Sequence, residues 1–186
     1  EDLYNNDPTY RGTHFASETV LRHLARELNP AHRLRILEIS AGPSELPKVL
    51  IDTLPEDRFD YVLAVASDEV RARQLAEYHE QSNVIVAALD ESSWALEEDR
   101  PLPDLFDVVI LRHSLHRANH PRGKLTQAKR WLASGGILLL AERHPDWSAV
   151  FFHGLDRSWW HEASDGSDVA VRSSLHAPEV WCQAMN

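Results

Sequence analysis

The sequence has little cysteine, little positive charge and no long apolar run. Cys182 is the only cysteine, which excludes an internal disulfide and an all-cysteine zinc or iron–sulfur site. Nineteen Lys and Arg residues stand against 29 Asp and Glu residues, and the formal charge of −10 makes nucleic acid and anionic membranes poor partners. No segment approaches the roughly 18 apolar residues of a membrane span, and the first thirty residues lack a signal peptide's apolar stretch. We therefore expect a cytoplasmic protein.

Apolar runs of strand length alternate with segments of helical periodicity. An amphipathic helix is expected from Phe15 to Leu28, and further helices over residues 46–54, 68–79 and 123–132. The strand-like runs are residues 34–39, 59–66, 83–89, 105–111 and 137–141. This alternation predicts an α/β fold, with a doubly wound, mostly parallel sheet covered on both faces.

The length of 186 residues fits one compact domain. We expect a helical lead-in over residues 1–33 and a Rossmann-like unit over residues 34–186. Because the chain begins at Glu1 without an initiator methionine, we also expect it to be a fragment of something longer. An aromatic-rich stretch, residues 147–160, is typical of core or interface packing, with a substrate channel as the alternative.

In a parallel sheet the ligand crevice lies outside the carboxyl ends of the strands, and the residues found there carry a family resemblance. Three stretches match: LRILEISAGPSELPKVL (34–50), FDVVILRHSLHRANHPRGKLTQAKRWLASGGILLLAERHPDW (106–147) and FFHGLDRSWW (151–160). The sequence resembles the S-adenosylmethionine-dependent methyltransferases, and more closely the carbon-methyltransferase domains of modular polyketide synthases. The resemblance implies a class I methyltransferase fold, here truncated before the family's last two antiparallel strands.

The resemblance also implies a cofactor site, from which this sequence departs. The family's loop E-x-G-x-G-x-G matches Glu38-Ile39-Ser40-Ala41-Gly42-Pro43-Ser44, so Gly42 is retained while Ser40 and Ser44 replace glycines that allow close backbone approach. The acid that binds the ribose in the family aligns with Val65, which cannot accept a hydrogen bond. Asp68 is either its substitute or the N-cap of the next helix. Asp90, where the family often contacts adenine, is either that contact or a loop acid.

A pair of residues points instead to retained chemistry. In the family, a His after the fourth strand and a Glu ending the fifth form a base dyad, and His116 and Glu142 match them. The imidazole would take a proton from the carbon between a ketone and a thioester, while the carboxylate orients it and stabilises the imidazolium. The alternative is that His116 is one of eleven histidines and Glu142 merely ends a strand.

Other patterns carry less weight. His113, His116 and His120 have the spacing of metal ligands on a helix, but Pro121 favours a loop and we expect no metal site. Ser114 lacks the G-x-S-x-G elbow of a hydrolase. Arg112, Arg117 and Arg122 form either a solvated loop or a contact for a phosphopantetheine phosphate. Cys182 is interpreted as a packed thiol.

The leading hypothesis is a degenerate methyltransferase domain of a polyketide synthase, a scaffold or pseudoenzyme whose loop and ribose position no longer match a cofactor site. The second is an active S-adenosylmethionine-dependent C-methyltransferase acting on a β-ketoacyl thioester. The third is a domain that uses the dyad without the cofactor, to exchange an α-proton. In each case the expected partners are an acyl carrier protein with its phosphopantetheine-bound acyl chain and neighbouring domains of the same synthase.

Overall fold

A computed structural model describes residues 8–98, 100–118, 121–145, 151, 160–162, 171–173 and 175–185. The helices are α1 (Pro8–Glu27), α2 (Leu46–Ile51), α3 (Asp68–Glu77), α4 (Pro121–Arg130) and α5 (Pro178–Met185), with single 3₁₀ turns at Glu56–Arg58 and Leu115–Arg117. The strands are β1 (Leu34–Ser40), β2 (Phe59–Val65), β3 (Val84–Leu89), β4 (Leu96–Glu97), β5 (Phe106–Arg112), β6 (Leu132–Ala141), β7 (Trp160–Glu162) and β8 (Val171–Ser173).

Six of these strands form one sheet in the order β4-β3-β2-β1-β5-β6. All neighbours are parallel except β3 and β4, which pair antiparallel, while β7 and β8 form a separate two-stranded ribbon. The strand order reverses direction between β1 and β5, which is where open α/β sheets place their ligand crevice. The predicted α/β, doubly wound class is therefore confirmed.

The core divides between the two faces of this sheet because side chains alternate along each strand. On β2, Tyr61 and Val65 belong to the cluster beneath α1 and α2, whereas Val62 and Ala64 belong to the cluster beneath α4 and α5. Both faces are thus covered by helices, which explains why the strands read as nearly continuous apolar runs.

Some element boundaries differ from those expected. The last long strand begins at Leu132 rather than residue 137. It contains Gly135, which has a left-handed φ of 77°, and its pairing with β5 shifts register between Phe106 and Val108. A side chain at Gly136 would lie 2.9 Å from a backbone oxygen. The acidic loop expected over residues 90–103 contains the short strand β4.

Two expected core positions are on the surface. The apolar periodicity of the first helix begins at Phe15, yet 69% of this residue is exposed, and the buried stripe of α1 is formed by Leu21 and Ala25. Cys182 is exposed, so its interpretation as a packed thiol is wrong. Most of the aromatic-rich stretch, residues 147–150 and 152–159, lies outside the described residues, as does His120. Within the described part of the chain, no helix is long and apolar enough to cross a membrane.

Candidate active site at the carboxyl edge of the sheet

The loop that follows β1 uses its backbone donors inside the protein. The N–H of Ala41 donates to the carbonyl of Arg112 at 3.2 Å, and the N–H of Gly42 donates to Oγ of Ser40 at 3.3 Å. Pro43 has no N–H, and the N–H of Ser44 donates to Oε1 of Gln74 at 3.0 Å. Every backbone donor of residues 41–44 therefore has an acceptor within the chain.

Glu38 is the centre of a buried hydrogen-bond network beneath this loop. Its side chain is fully buried, and Oε2 accepts hydrogen bonds from the hydroxyls of Ser44 and Tyr61, each at 2.7 Å. Its other oxygen, Oε1, accepts from Nε of Arg112 at 2.8 Å. Burial, and then the negative charge of Glu38, raise the pKa of the Tyr61 phenol well above its ordinary value, so the phenol remains a donor.

Arg112 connects this network to the loop itself. Its Nη2 donates to Oγ of Ser40 at 2.9 Å and to the carbonyl of Pro43 at 2.5 Å. Only 7% of Arg112 is exposed. The expectation that Arg112 belongs to a solvated basic loop is therefore wrong for this residue: its guanidinium is held by Glu38 and by the loop that covers it.

The end of β2 offers no carboxylate at the position expected for a ribose acceptor. Val65 is 2% exposed and packs in the cluster beneath α1 and α2. The N-cap of α3 is Ser67, whose Oγ accepts from the N–H of Val70, so the expectation that Asp68 caps this helix is also wrong. Asp68 is instead the exposed first residue of α3.

Asp90 is engaged by its own turn. Its Oδ1 accepts from Oγ of Ser92 at 2.6 Å, and from both the N–H and the hydroxyl of Ser93 at 2.6 and 2.9 Å. These bonds, that from Ser92 foremost, lower the pKa of the Asp90 carboxyl to about 2. The turn ends at Trp94, which is 3% exposed and has a left-handed φ of 58°.

These strand ends line an open cavity of about 260 Å³, called here the edge cavity. Its walls include small and hydroxyl-bearing residues, one aromatic ring and one carboxylate: Ser40, Ala66, Ser67, Glu91, Trp94 and Ser114. This volume lies just below the roughly 300–1,000 Å³ that ligand pockets typically measure. The ring of Trp94 forms one wall and stacks on Trp131 at a centroid distance of 6.5 Å.

The structure brings His116 and Glu142 together beyond the ends of β5 and β6. Nδ1 of His116 lies 2.6 Å from Oε2 of Glu142, and both side chains are more than nine-tenths buried. The second carboxylate oxygen, Oε1, accepts the N–H of Leu115 at 2.6 Å. Glu142 therefore holds both the imidazole and the backbone beside it. Because a carboxylate oxygen accepts hydrogen bonds, Nδ1 carries the proton and Nε2 is the basic nitrogen.

The other candidates from the sequence are separate from this pair. Nε2 of His113 lies 3.0 Å from Oγ1 of Thr13, and His113 and His116 do not form a metal-ligand group with any third side chain among the described residues. Ser114 lines the edge cavity, and its Oγ has no hydrogen-bond partner there.

Sequence reasoning missed Arg112 and Gln74 as partners of the loop. The available signal was a charged residue inside the apolar run of β1, since a buried Glu38 requires donors. Ser40 and Arg112 are direct neighbours across β1 and β5, but this register emerges only when the strand order is known. Gln74 lies 30 residues from Ser44, and nothing in its local sequence marks it.

A family model described as a methyltransferase domain matches residues 10–183. Among curated proteins, the non-reducing polyketide synthase nvfA of Aspergillus novofumigatus is 27% identical over 191 residues, covering 99% of this chain and 8% of that protein. The lovastatin diketide synthase lovF of Aspergillus terreus is 30% identical over 175 residues, covering 89% of this chain and 6% of that protein. The chain thus spans less than a tenth of the length of these relatives.

Solved structures show the same fold. The CMeT domain of the citrinin polyketide synthase superposes with a TM-score of 0.79 and 21% identity, covering 98% of this chain and 47% of that chain. The CurJ carbon methyltransferase gives a TM-score of 0.77 and 23% identity, with 99% and 48% coverage.

Proposed function

Because the chain belongs to the methyltransferase-domain family, we propose that it is a polyketide synthase domain of the carbon-methyltransferase type whose S-adenosylmethionine site has degenerated. In this proposal the domain acts within a larger synthase, beside its neighbouring domains and an acyl carrier protein. The names of the relatives, all multidomain synthases far longer than this chain, support that setting.

The proposal rests on the loop after β1, residues 41–44, whose backbone N–H groups are all used inside the protein. A cofactor carboxylate bound at such a loop needs backbone N–H groups directed at it, and here those of Ala41, Gly42 and Ser44 all donate within the protein. The serine hydroxyls are also engaged, Ser44 with Glu38 and Ser40 with Arg112. Binding the cofactor would require breaking this network.

Two further features support the same conclusion. At the position where the family holds the ribose with an acid, Val65 supplies no acceptor, and a hydrogen bond to a charged group is worth roughly 1.5–3 kcal/mol. Asp90, the retained acid, accepts three hydrogen bonds from Ser92 and Ser93, all at Oδ1. In this proposal the residues present do not fit S-adenosylmethionine, and no step of the chemistry below runs through it.

The proposal is tested by titrating S-adenosylmethionine and its demethylated product into this chain, and into any longer protein that contains it, by calorimetry. We expect no binding up to millimolar concentration. Micromolar affinity that disappears in Ala66→Phe, a variant that adds an aromatic ring at a residue lining the edge cavity, would overturn the proposal. A binding heat that Ala66→Phe leaves unchanged arises from a site other than the edge cavity and is consistent with the proposal.

A second candidate function rests on the 2.6 Å contact between His116 and Glu142. In this candidate, Nε2 of His116 removes a proton from the carbon between the ketone and the thioester of a β-ketoacyl chain, and Glu142 stabilises the imidazolium. The electron pair of the broken C–H bond delocalises into the enolate, and reprotonation of the carbon regenerates the neutral imidazole. The net result is exchange of the α-proton, which can change the configuration of that carbon.

This candidate predicts that deuterium from heavy water enters the α-carbon of a β-ketoacyl thioester in the presence of the protein. We expect His116→Gln to return the exchange rate to the uncatalysed background. Equal exchange with the wild type and His116→Gln would exclude the candidate. His79→Gln, which changes an exposed histidine of the loop after α3, is the matched control.

A further inference from the structure

His113 occupies a strained position between β5 and the 3₁₀ turn that carries His116. Its φ is 53°, in the left-handed region, where side chains other than glycine are uncommon and Asn, Asp and His are the best tolerated. Such residues persist only where the surrounding structure holds them, and they gather at functional sites. Only 2% of His113 is exposed.

The backbone of His113 fixes the start of the turn against β6. Its N–H donates to the carbonyl of Ala141 at 2.8 Å, the residue directly before Glu142. Two residues later the N–H of Leu115 donates to the carboxylate of Glu142, and Nδ1 of His116 lies against the other carboxylate oxygen. The left-handed residue is therefore the point at which the chain leaves the sheet and turns His116 towards Glu142.

The imidazole of His113 holds α1 against this turn. Oγ1 of Thr13 donates to the carbonyl of Tyr10, so the 3.0 Å contact between Oγ1 and Nε2 is a donation from the His113 ring. The ring of Tyr10 packs edge-on against His113 at a centroid distance of 4.1 Å. A neutral ring suits this place: burial first, and then the charges of Arg112, His116 and Arg143, lower its pKa to about 3.

We propose that His113 is a positioning residue for the His116–Glu142 pair: its left-handed backbone aims the turn that carries His116, and its imidazole seats α1 on that turn. The inference rests on the pairing used in the second candidate function, and not on the state of the cofactor site. If the chain binds S-adenosylmethionine, the proposed function fails and this inference is unaffected.

The test reads the hydrogen bond of the pair directly. In proton NMR of the chain labelled with ¹⁵N-histidine, the Nδ1–H of His116 is expected as a strongly deshielded resonance, assigned by its absence from His116→Gln. His113→Val cannot adopt the left-handed backbone without strain, and we expect it to lose this resonance while unfolding cooperatively. His113→Gly and His113→Asn, which tolerate that backbone, should retain it.

A matched variant separates the backbone from the ring. Thr13→Val removes the contact to Nε2 without changing residue 113; we expect it to retain the resonance and to lose hydrogen-exchange protection in the first half of α1. If His113→Val does not fold, His113→Ala takes its place against the glycine variant. The inference is overturned if the valine or alanine variant keeps the resonance unchanged, if glycine loses it, or if Thr13→Val abolishes it.

Discussion

Nε of Arg112 donates to Oε1 of Glu38 at 2.8 Å, in a pair of which Glu38 is fully buried and Arg112 is 93% buried. The two residues come from neighbouring strands, β1 and β5, at the edge where the ligand crevice of this fold lies. Each charge depends on the other and on hydroxyls of the loop, so the loop conformation and the ion pair are maintained together.

Removing one member of this pair should be costly. We expect Arg112→Met to lower the free energy of unfolding by about 3–5 kcal/mol, because it leaves the charge of Glu38 buried without a cation. Glu38→Gln combined with Arg112→Met should cost less than the sum of the two single changes, since it removes both charges. Urea unfolding of the four proteins in a double-mutant cycle measures this coupling.

The control is an ion pair on the surface. Arg33 contacts Asp60 at 2.5 Å, and both side chains are substantially exposed. We expect Arg33→Gln to cost less than about 1 kcal/mol. Equal losses from Arg33→Gln and Arg112→Met would show that burial does not control the energy of the Glu38–Arg112 pair.

The burial of His113 predicts a dependence of stability on pH. Its pKa falls from an ordinary 6.5 to about 3 in the folded protein, chiefly through burial, so below pH 6.5 the unfolded chain binds a proton that the folded chain does not. The free energy of unfolding is therefore unaffected by His113 above pH 6.5 and falls as the pH decreases towards 3. At pH 5 it is lower by about 2 kcal/mol than above pH 6.5.

Unfolding measured from pH 7.5 to 5 tests this dependence. His113→Asn should reduce the slope between pH 6.5 and 5 relative to the wild type. His23→Asn, which changes an exposed histidine of α1, is the comparison variant. A wild-type slope that persists in full in His113→Asn would contradict the prediction.

Glu142 should matter to proton exchange through the orientation of His116. We expect Glu142→Gln to slow any His116-dependent exchange of the α-proton by about 10²–10⁴-fold, because an amide neither stabilises the imidazolium nor fixes the proton on Nδ1. Mass spectrometry of the thioester after incubation in heavy water measures the rate. An unchanged rate in Glu142→Gln would remove Glu142 from this chemistry.

Trp94 should stabilise the wall of the edge cavity. It stacks on Trp131, and Nζ of Lys124 lies 5.3 Å from its ring centre, in a cation–π arrangement. We expect Trp94→Ala to lower the free energy of unfolding by about 3–5 kcal/mol, and Trp131→Ala, at a half-buried partner in the same stack, to cost less. Thermal or urea unfolding distinguishes the two, and a larger loss from Trp131→Ala would contradict this ranking.

The sequence was sufficient to predict the sheet because its strands are buried on both faces and therefore read as apolar runs. The approach of His116 to Glu142 also followed, since adjacent parallel strands end at the same edge. Contacts between residues distant in sequence could not be predicted. Arg112 reads as a loop cation in the sequence, and only the register of β1 and β5 places it beside Ser40. Likewise, Ser67 rather than Asp68 is the N-cap because α3 begins at Asp68, one residue earlier than a cap at Asp68 would require. Local sequence propensity does not resolve a helix start to one residue.

The serines of the loop after β1 carry a consequence for substitution. Replacing Ser44 alone by glycine removes a donor from Glu38, and replacing Ser40 alone removes an acceptor from Arg112. Each single replacement thus lowers stability, since an unsatisfied buried partner costs about 1–3 kcal/mol. Substitutions at this loop are therefore epistatic: glycine at either position is tolerated best when the buried partner of that serine changes with it.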